Sequence, residues 1–227
     1  MLDLPPEAFT RHDETPDAQF YRVARLVTHL DHRAIGAVTQ LYREYLPPDG
    51  VILDLMSSWV SHQPLEVRYH RVVGLGMNAA ELAANPRLDE YVVQDLNQQP
   101  RLAFDDGVFD GAGLCVSIQY LTRPVEVLRE VGRVLRPAAP LVITFSNRCF
   151  PTKAIAIWLA LDDAGHGRLI ERYLEAAGNW MAIERLDRSP GRRATQRANG
   201  RRPGDDEAAD DPLFAVVARR RPHHREG

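Results

Sequence analysis

The side chains best suited to chemistry cluster just beyond short apolar runs. Asp54 lies in the run Val51–Leu55, and Met56, Ser57, Ser58 and Trp59 follow it, with His62 a little further on. Gly74 lies in Arg71–Leu75, and Gly76, Met77 and Asn78 come next. Asp95 closes Tyr91–Asp95 and precedes Leu96 and Asn97; Ser117 closes Phe109–Ser117 and precedes Gln119 and Tyr120; Ser146, Asn147 and Arg148 follow Leu141–Phe145. These are carboxylates, hydroxyls and amides, the groups that orient a small polar ligand through a few placed hydrogen bonds. His62 and Tyr120 are the candidate catalytic residues, because an imidazole or a phenol can take a proton from an ionisable acceptor. A lone loop histidine is more often simply solvated, and Tyr120 is equally well explained as an aromatic packed on the next helix. Neither paired carboxylates nor a Ser/His/Asp order stands out, so such a site would work mainly by positioning. Cys115 and Cys149 belong to no CxxC pair or Cys/His cluster, and His223 and His224 lie in a polar tail, so no metal site is expected.

Periodicity identifies the elements that must position these residues. From Asp17 to Leu46 the pattern is helical, with Ile35, Val38, Leu41, Tyr42 and Tyr45 at helix spacing and Asp31 as a cap for a second helix. The period then changes to short apolar strands at Val51–Leu55, Arg71–Leu75, Tyr91–Asp95, Phe109–Ser117 and Leu141–Phe145. Asn78-Ala-Ala-Glu81 has capping-box spacing and opens a helix that stops before Pro86. Pro124–Arg136 is amphipathic, with Val125, Leu128, Val131 and Leu135 facing inward. Two helical stretches separated near Gly165 occupy 152–177, and Met181–Leu186 and Leu213–Ala218 read as final strands. The expected fold is α/β: a doubly wound, mostly parallel, seven-stranded Rossmann-like sheet with helices on both faces. The last two strands, joined without a helix, form an antiparallel edge pair.

The chain has 227 residues, 44% hydrophobic and 26% charged, with formal net charge −3. That suits one globular domain and gives no reason to expect nucleic acid or an anionic membrane as partner. The expected division is a flexible arm at 1–17, a domain at 18–218 with a flexible loop at 188–212, and a polar tail at 219–227. The loop, rich in Arg, Gly, Asp and Pro, buries too little apolar surface to order itself. No stretch is apolar enough to span a bilayer, no signal peptide is visible, and two unpaired cysteines suit a reducing, cytoplasmic setting.

In an open parallel sheet, ligands bind beyond the carboxyl ends of the strands, and the succession of residues there resembles the class I methyltransferase superfamily. The resemblance runs from about Gly50 to Phe145 and more weakly to Ala218. "VILDLMSS", "VVGLGMNAAELAANP", "VVQDLNQQPRLAFDDGVFDG" and "LTRPVEVLREVGRVLRPAAPLVITF" carry it. It implies S-adenosylmethionine as cofactor, S-adenosylhomocysteine as product and a small-molecule acceptor. The implied cofactor-binding residues are Asp54, Met56, Ser57, Gly74, Gly76, Met77, Asn78, Asp95, Leu96 and Ser117. Asp95 would accept the adenine amino group, the Leu96 amide would serve a ring nitrogen, Asp54 would lie near the methionine ammonium and Ser117 would line the floor. Tyr21, Tyr120, Asn147 and Arg148 are the candidates for holding the acceptor. Two positions depart from the family pattern. The turn Met56–Trp59 has no glycine, and Gly76 stands where an acidic residue usually binds the ribose hydroxyls; Asn78 is a nearby candidate for that role and also a good helix cap. A binding or scaffold protein on the same fold, without turnover, is the alternative. A nicotinamide-dependent oxidoreductase would need G-x-G-x-x-G after the first strand, which is absent.

Overall fold

The computed structural model describes residues 3–190 and 210–222. Seven strands form one sheet: β1 Val51–Leu55, β2 Arg71–Gly76, β3 Glu90–Val93, β4 Gly111–Cys115, β5 Pro140–Phe145, β6 Trp180–Asp187 and β7 Phe214–Arg220. Their order is β3-β2-β1-β4-β5-β7-β6. The first five are parallel, and β7 pairs antiparallel with both β5 and β6. The doubly wound sheet and its antiparallel edge are therefore as the sequence pattern leads one to expect.

Side chains alternate along each strand, so the sheet builds a core on each face. Leu53, Val73, Leu114 and Ile143 face one core, which is closed by α4 (Pro124–Val134) and α6 (Asp163–Ala177). Ile52, Val72, Val142 and Val217 face the other, closed by Ala34, Val38, Leu41 and Tyr42 of α2 (His32–Tyr45). In α4 the buried stripe runs through Val127, Leu128, Val131 and Val134, while Val125 is only partly covered.

Several element boundaries differ from expectation. Asp17 to Leu46 is not continuously helical. A single turn, α1 (Asp17–Phe20), is followed by irregular backbone until Asp31 caps α2 by accepting the amides of Arg33 and Ala34. β3 ends at Val93, and β4 is confined to Gly111–Cys115, with Phe109 making only an isolated bridge to Leu135. Residues 152–155 are not helical; after the short α5 (Ala156–Leu159), Asp162 caps α6, so Gly165 lies inside that helix rather than between two. β7 takes in Arg219 and Arg220, which were assigned to the tail.

The segment read as a loose arm is fastened. Arg11 bridges to Ile155 on the backbone and donates to both oxygens of Asp17 at 2.8 Å. Lys153, wholly buried, lies 3.2 Å from Asp17 and 3.3 Å from Asp13, and it also donates to the carbonyls of Asp13 and Thr15. Most of the 188–212 loop lies outside the described residues, but both its ends are anchored. The Ser189 hydroxyl accepts from the Leu213 amide, and Asp211 takes the Asp31 amide and the Arg148 guanidinium. Among the described residues no helix is long and apolar enough to cross a membrane.

Removing one member of a buried charge network leaves the others uncompensated. Lys153→Ala is expected to lower the unfolding free energy by about 3–5 kcal/mol, measured by urea denaturation. A loss under about 1 kcal/mol, the level of an exposed pair, would show the clasp to be dispensable.

Candidate functional site

The order of strands reverses between β1 and β4, and a crevice opens there beyond their carboxyl ends. It holds a cavity of about 400 Å³. The ends of β1 to β4 and the loops after them supply Asp54 and Met56, Gly76 and Asn78, Asp95 and Leu96, and Val116 and Ser117. Residues from the irregular stretch 21–30 form its roof, and Tyr120, Arg148, Cys149 and Phe150 close the side beyond β4 and β5.

The β1 loop takes an unusual path. Its Ser57 amide donates to the Leu75 carbonyl on the neighbouring strand at 2.8 Å, and the Ser57 carbonyl comes to rest against Gly76. A Cβ at 76 would overlap that carbonyl, so the position admits only glycine. To make this crossing, Met56 adopts φ 54°, and His62, at the far end of the loop, adopts φ 51°. Val116, directly after β4, has φ 41°, a rare conformation for a β-branched residue. All these left-handed residues line the cavity, and such strain persists where surrounding structure over-determines it, commonly at functional sites.

The loop also wraps the first carboxylate. Asp54 is buried and accepts the hydroxyls of Ser57 at 2.5 Å and Ser61 at 2.7 Å. Burial disfavours the anion and pushes the carboxyl up to about 6, against the opposing pull of those hydroxyls. Asn85 braces the loop, donating to the Ser58 carbonyl and the Ser61 hydroxyl.

A second carboxylate ties this loop to the roof. Glu81, in the first turn of α3 (Ala79–Ala84), accepts the Ser58 hydroxyl and the Arg25 amide, both at 2.7 Å. The capping-box spacing thus has a different outcome from the usual one. Asn78 caps α3 through the amides of Ala80 and Glu81, while Glu81 turns outward to hold residues 21–30. The Asn78 amide group donates to the carbonyls of Tyr21 and Arg22, so its polar atoms are engaged within the protein. The indole of Trp59 adds a further tie, to the Val27 carbonyl.

Asp95 and Asn97 organise the turn after β3. Asp95 accepts the amides of Asn97 and Gln98, and Asn97 reaches Asp17, the Tyr120 carbonyl and Thr122. Tyr120 accepts the Phe150 amide at 2.9 Å, and burial pushes its phenol up to about 12. That hydroxyl holds the loops after β4 and β5 together and is a poor base at neutral pH. His62 is half-buried on the wall; burial, and to a lesser extent His29 nearby, pull its pKa below the usual imidazole value. It is therefore neutral and able to take a proton at neutral pH.

Of the residues given a catalytic or binding role from sequence, Asp54, Met56, Ser57, Gly76, Met77, Asn78, Asp95, Leu96, Ser117, Tyr21, Tyr120, His62 and Arg148 line the cavity. Two do not. Gly74 faces the side chain of Leu88 within the sheet, and Asn147 is exposed and turned away from the lining. Arg148 reaches the rim while paired to Asp211 at 2.6 Å. Arg25, His29, Glu81, Asp17 and Phe150 also line the cavity and were not anticipated. They belong to segments far apart in sequence, and only the capping-box spacing of Glu81 carried any signal.

A family model described as a methyltransferase domain matches residues 58–143. No curated protein matches the chain at the sequence level. Among solved structures, the chain is similar to an S-adenosylmethionine-dependent methyltransferase from Mesorhizobium loti, with 18% identity, 81% of this chain and 98% of that one covered, and a TM-score of 0.52. It is also similar to geranyl diphosphate C-methyltransferase from Streptomyces coelicolor A3(2), solved with Mg2+, geranyl diphosphate and S-adenosyl-L-homocysteine (16% identity, 83% and 81% covered, TM-score 0.53). A third similar structure is the [4+2]-cyclase SpnF (18% identity, 81% and 80% covered, TM-score 0.56).

Glu81 is the post on which the roof hangs. Glu81→Ala removes two hydrogen bonds to a charged acceptor, worth about 1.5–3 kcal/mol each. Amide exchange across residues 22–29 is expected to accelerate at least tenfold, with β1 and β5 protection unchanged. Unaltered exchange at Arg25 would show that the roof is held by other contacts.

Proposed function

We propose that the protein is a methyltransferase of the class I type and methylates a small molecule enclosed beneath residues 21–30; the methyltransferase-domain match over 58–143 and the similar folds support this reading. S-adenosylmethionine is the donor and S-adenosylhomocysteine the product. The observation that carries this reading is the single crevice joining Asp54, Asp95 and the strained loops after β1 and β4, at the strand ends where such folds bind ligands.

The donor set suits the cofactor at two of its three polar regions. Asp54 is a buried carboxylate suited to an ammonium, and Asp95 with the Leu96 amide offers an acceptor and a donor to an adenine edge. At the ribose the usual acid is excluded from position 76, and Glu81 is the acidic residue of that segment on the cavity wall. When bound, S-adenosylmethionine supplies a methyl group on a positively charged sulfur, with a neutral thioether as the leaving group. This chain's part is then to hold the acceptor in line, exclude water and manage a proton. His62 is suited to take the proton of an acceptor hydroxyl, ammonium or acid. Tyr120 maintains the acceptor wall through its bond to the Phe150 amide, and Tyr21 and Arg148 contribute to that wall. Two free cysteines, Cys115 and Cys149, support a cytoplasmic location.

One observation favours a second reading, a binding protein or non-methylating catalyst on the same fold. The Ser57 carbonyl fills the space of the ribose-binding acid, and the similar structure SpnF is a cyclase. Calorimetric titration with S-adenosylhomocysteine discriminates: binding supports the first reading, and none at millimolar concentration replaces it with the second.

Two outcomes are expected from that titration. Asp95→Ala should weaken affinity by one to two decades, the equivalent of one charge-assisted hydrogen bond of about 1.5–3 kcal/mol, with Asp95→Asn intermediate. Affinity should also rise with pH through about 6, because Asp54 must ionise to face the ammonium. Its raised pKa favours the protonated form in the free protein. The stability this gives is full below 3.8, the ordinary value, and is lost as pH rises to about 6. Asp54→Asn should abolish both pH steps; a step that persists in this variant belongs to another group.

A further inference from the structure

Arg25 projects from the roof into a box of aromatic rings. Its guanidinium carbon lies 4.5 Å from the centroid of Phe20, 5.5 Å from Phe150 and 5.9 Å from Tyr21. Nη2 donates to the Phe20 carbonyl at 2.9 Å. Nη1 is buried and has no hydrogen-bond partner among the described residues. The nearby carboxylates are already engaged. Asp17 is held by Arg11, Lys153 and Asn97, and Glu81 accepts the backbone amide of Arg25 itself and the Ser58 hydroxyl. A guanidinium nitrogen buried without an acceptor is costly, and ring faces offset this only in part. An oxyanion brought by a ligand would complete the set, and the planar fork of arginine suits a carboxylate or phosphate.

The position of the box indicates which ligand. The expected cofactor contacts Asp54 and Gly76 lie in β1 and β2 and Asp95 just after β3, on one side of the switch point. Phe150 follows β5 on the other side, where it packs on Tyr120 at 6.0 Å and on His29 at 5.3 Å. Arg25 therefore bridges from its backbone tie at α3 to the wall formed beyond β4 and β5. That wall is aromatic, so it suits a planar or apolar body with the charged group at its end.

We infer that Arg25 is the specificity residue of the acceptor pocket, binding an oxyanion, a carboxylate or a phosphate, carried by a small aromatic or apolar acceptor. The inference rests on the methyltransferase reading for the word acceptor, but the recognition of the anion stands on the box itself. The tie to Glu81 is made by the backbone amide of Arg25 and not by the guanidinium, so the side chain can be altered with that tie kept.

The test uses the full chain and is read by ligand-detected NMR, with and without saturating S-adenosylhomocysteine. The probes are benzoate, phenyl phosphate and neutral benzamide. Benzoate or phenyl phosphate is expected to bind at least tenfold more tightly than benzamide, and their ratio shows which oxyanion is preferred. Arg25→Gln should reduce oxyanion binding at least tenfold and leave S-adenosylhomocysteine affinity within twofold, while Arg25→Lys should retain part of it as a point charge. Equal binding of benzoate and benzamide to the unaltered protein overturns the inference, whatever the variants do, as does the absence of oxyanion binding at millimolar concentration. Loss of S-adenosylhomocysteine affinity in Arg25→Gln, with affinity for 5′-methylthioadenosine kept, also overturns it by assigning the guanidinium to the cofactor's own carboxylate. Failure of the unaltered protein to bind S-adenosylhomocysteine counts against the methyltransferase reading alone, because the probes are also scored without it.

Discussion

The backbone of Ser57 lies on Gly76, its amide bonded to the Leu75 carbonyl and its own carbonyl filling the space a side chain at 76 would need. Most of the site depends on that crossing. It draws the β1 loop over β2, which forces Met56 into a left-handed conformation. It turns the hydroxyls of Ser57 and Ser61 back onto Asp54, presents the Ser58 hydroxyl to Glu81, and through Glu81 fixes the Arg25 amide in the roof. One close approach between two backbones thus governs the ionisation of one carboxylate, the direction of another and the closure of the cavity. The turn has no glycine, and a network of serine hydroxyls and Asn85 holds it.

That network clarifies what was legible in the sequence. The sheet was, because the runs around Ile52, Val73, Leu114 and Ile143 need only a two-sided core to become parallel strands. The cavity floor is legible with it, since strand ends define it: Asp54, Asp95 and Ser117 lie at or near the ends of apolar runs. Boundaries were less legible. Residues 21–30 carry apolar side chains at spacings compatible with a helix, yet the Asn78 amide group and Glu81 take their backbone groups and hold them irregular. Tertiary partners outweighed local preference there.

The roof was illegible for a related reason. Arg25, His29 and Asp17 are held in the roof and clasp by partners distant in the chain: Glu81, Phe150 and Lys153. No local spacing encodes such pairings. Asn147 shows the converse error, since a position directly beyond a strand says nothing about which way the chain turns next. Glu81 is an intermediate case: its spacing from Asn78 is that of a capping box, but the carboxylate serves the roof instead of the helix it begins.

The clasp at the chain's start also bears on the order of assembly. Asp17 meets Lys153 and Asn97, and Asp31 exchanges amide and carboxylate contacts with Asp211 near β7. Asp17 and Asp31 therefore wait for partners made much later along the chain, and contacts of such separation close late and slowly. The strands can pair before the roof is in place, so the cavity is among the last features to appear as the chain folds. During synthesis the open crevice is exposed while its cover is still unanchored, and a ligand that prefers the covered form would favour completion of the whole domain instead of a local adjustment.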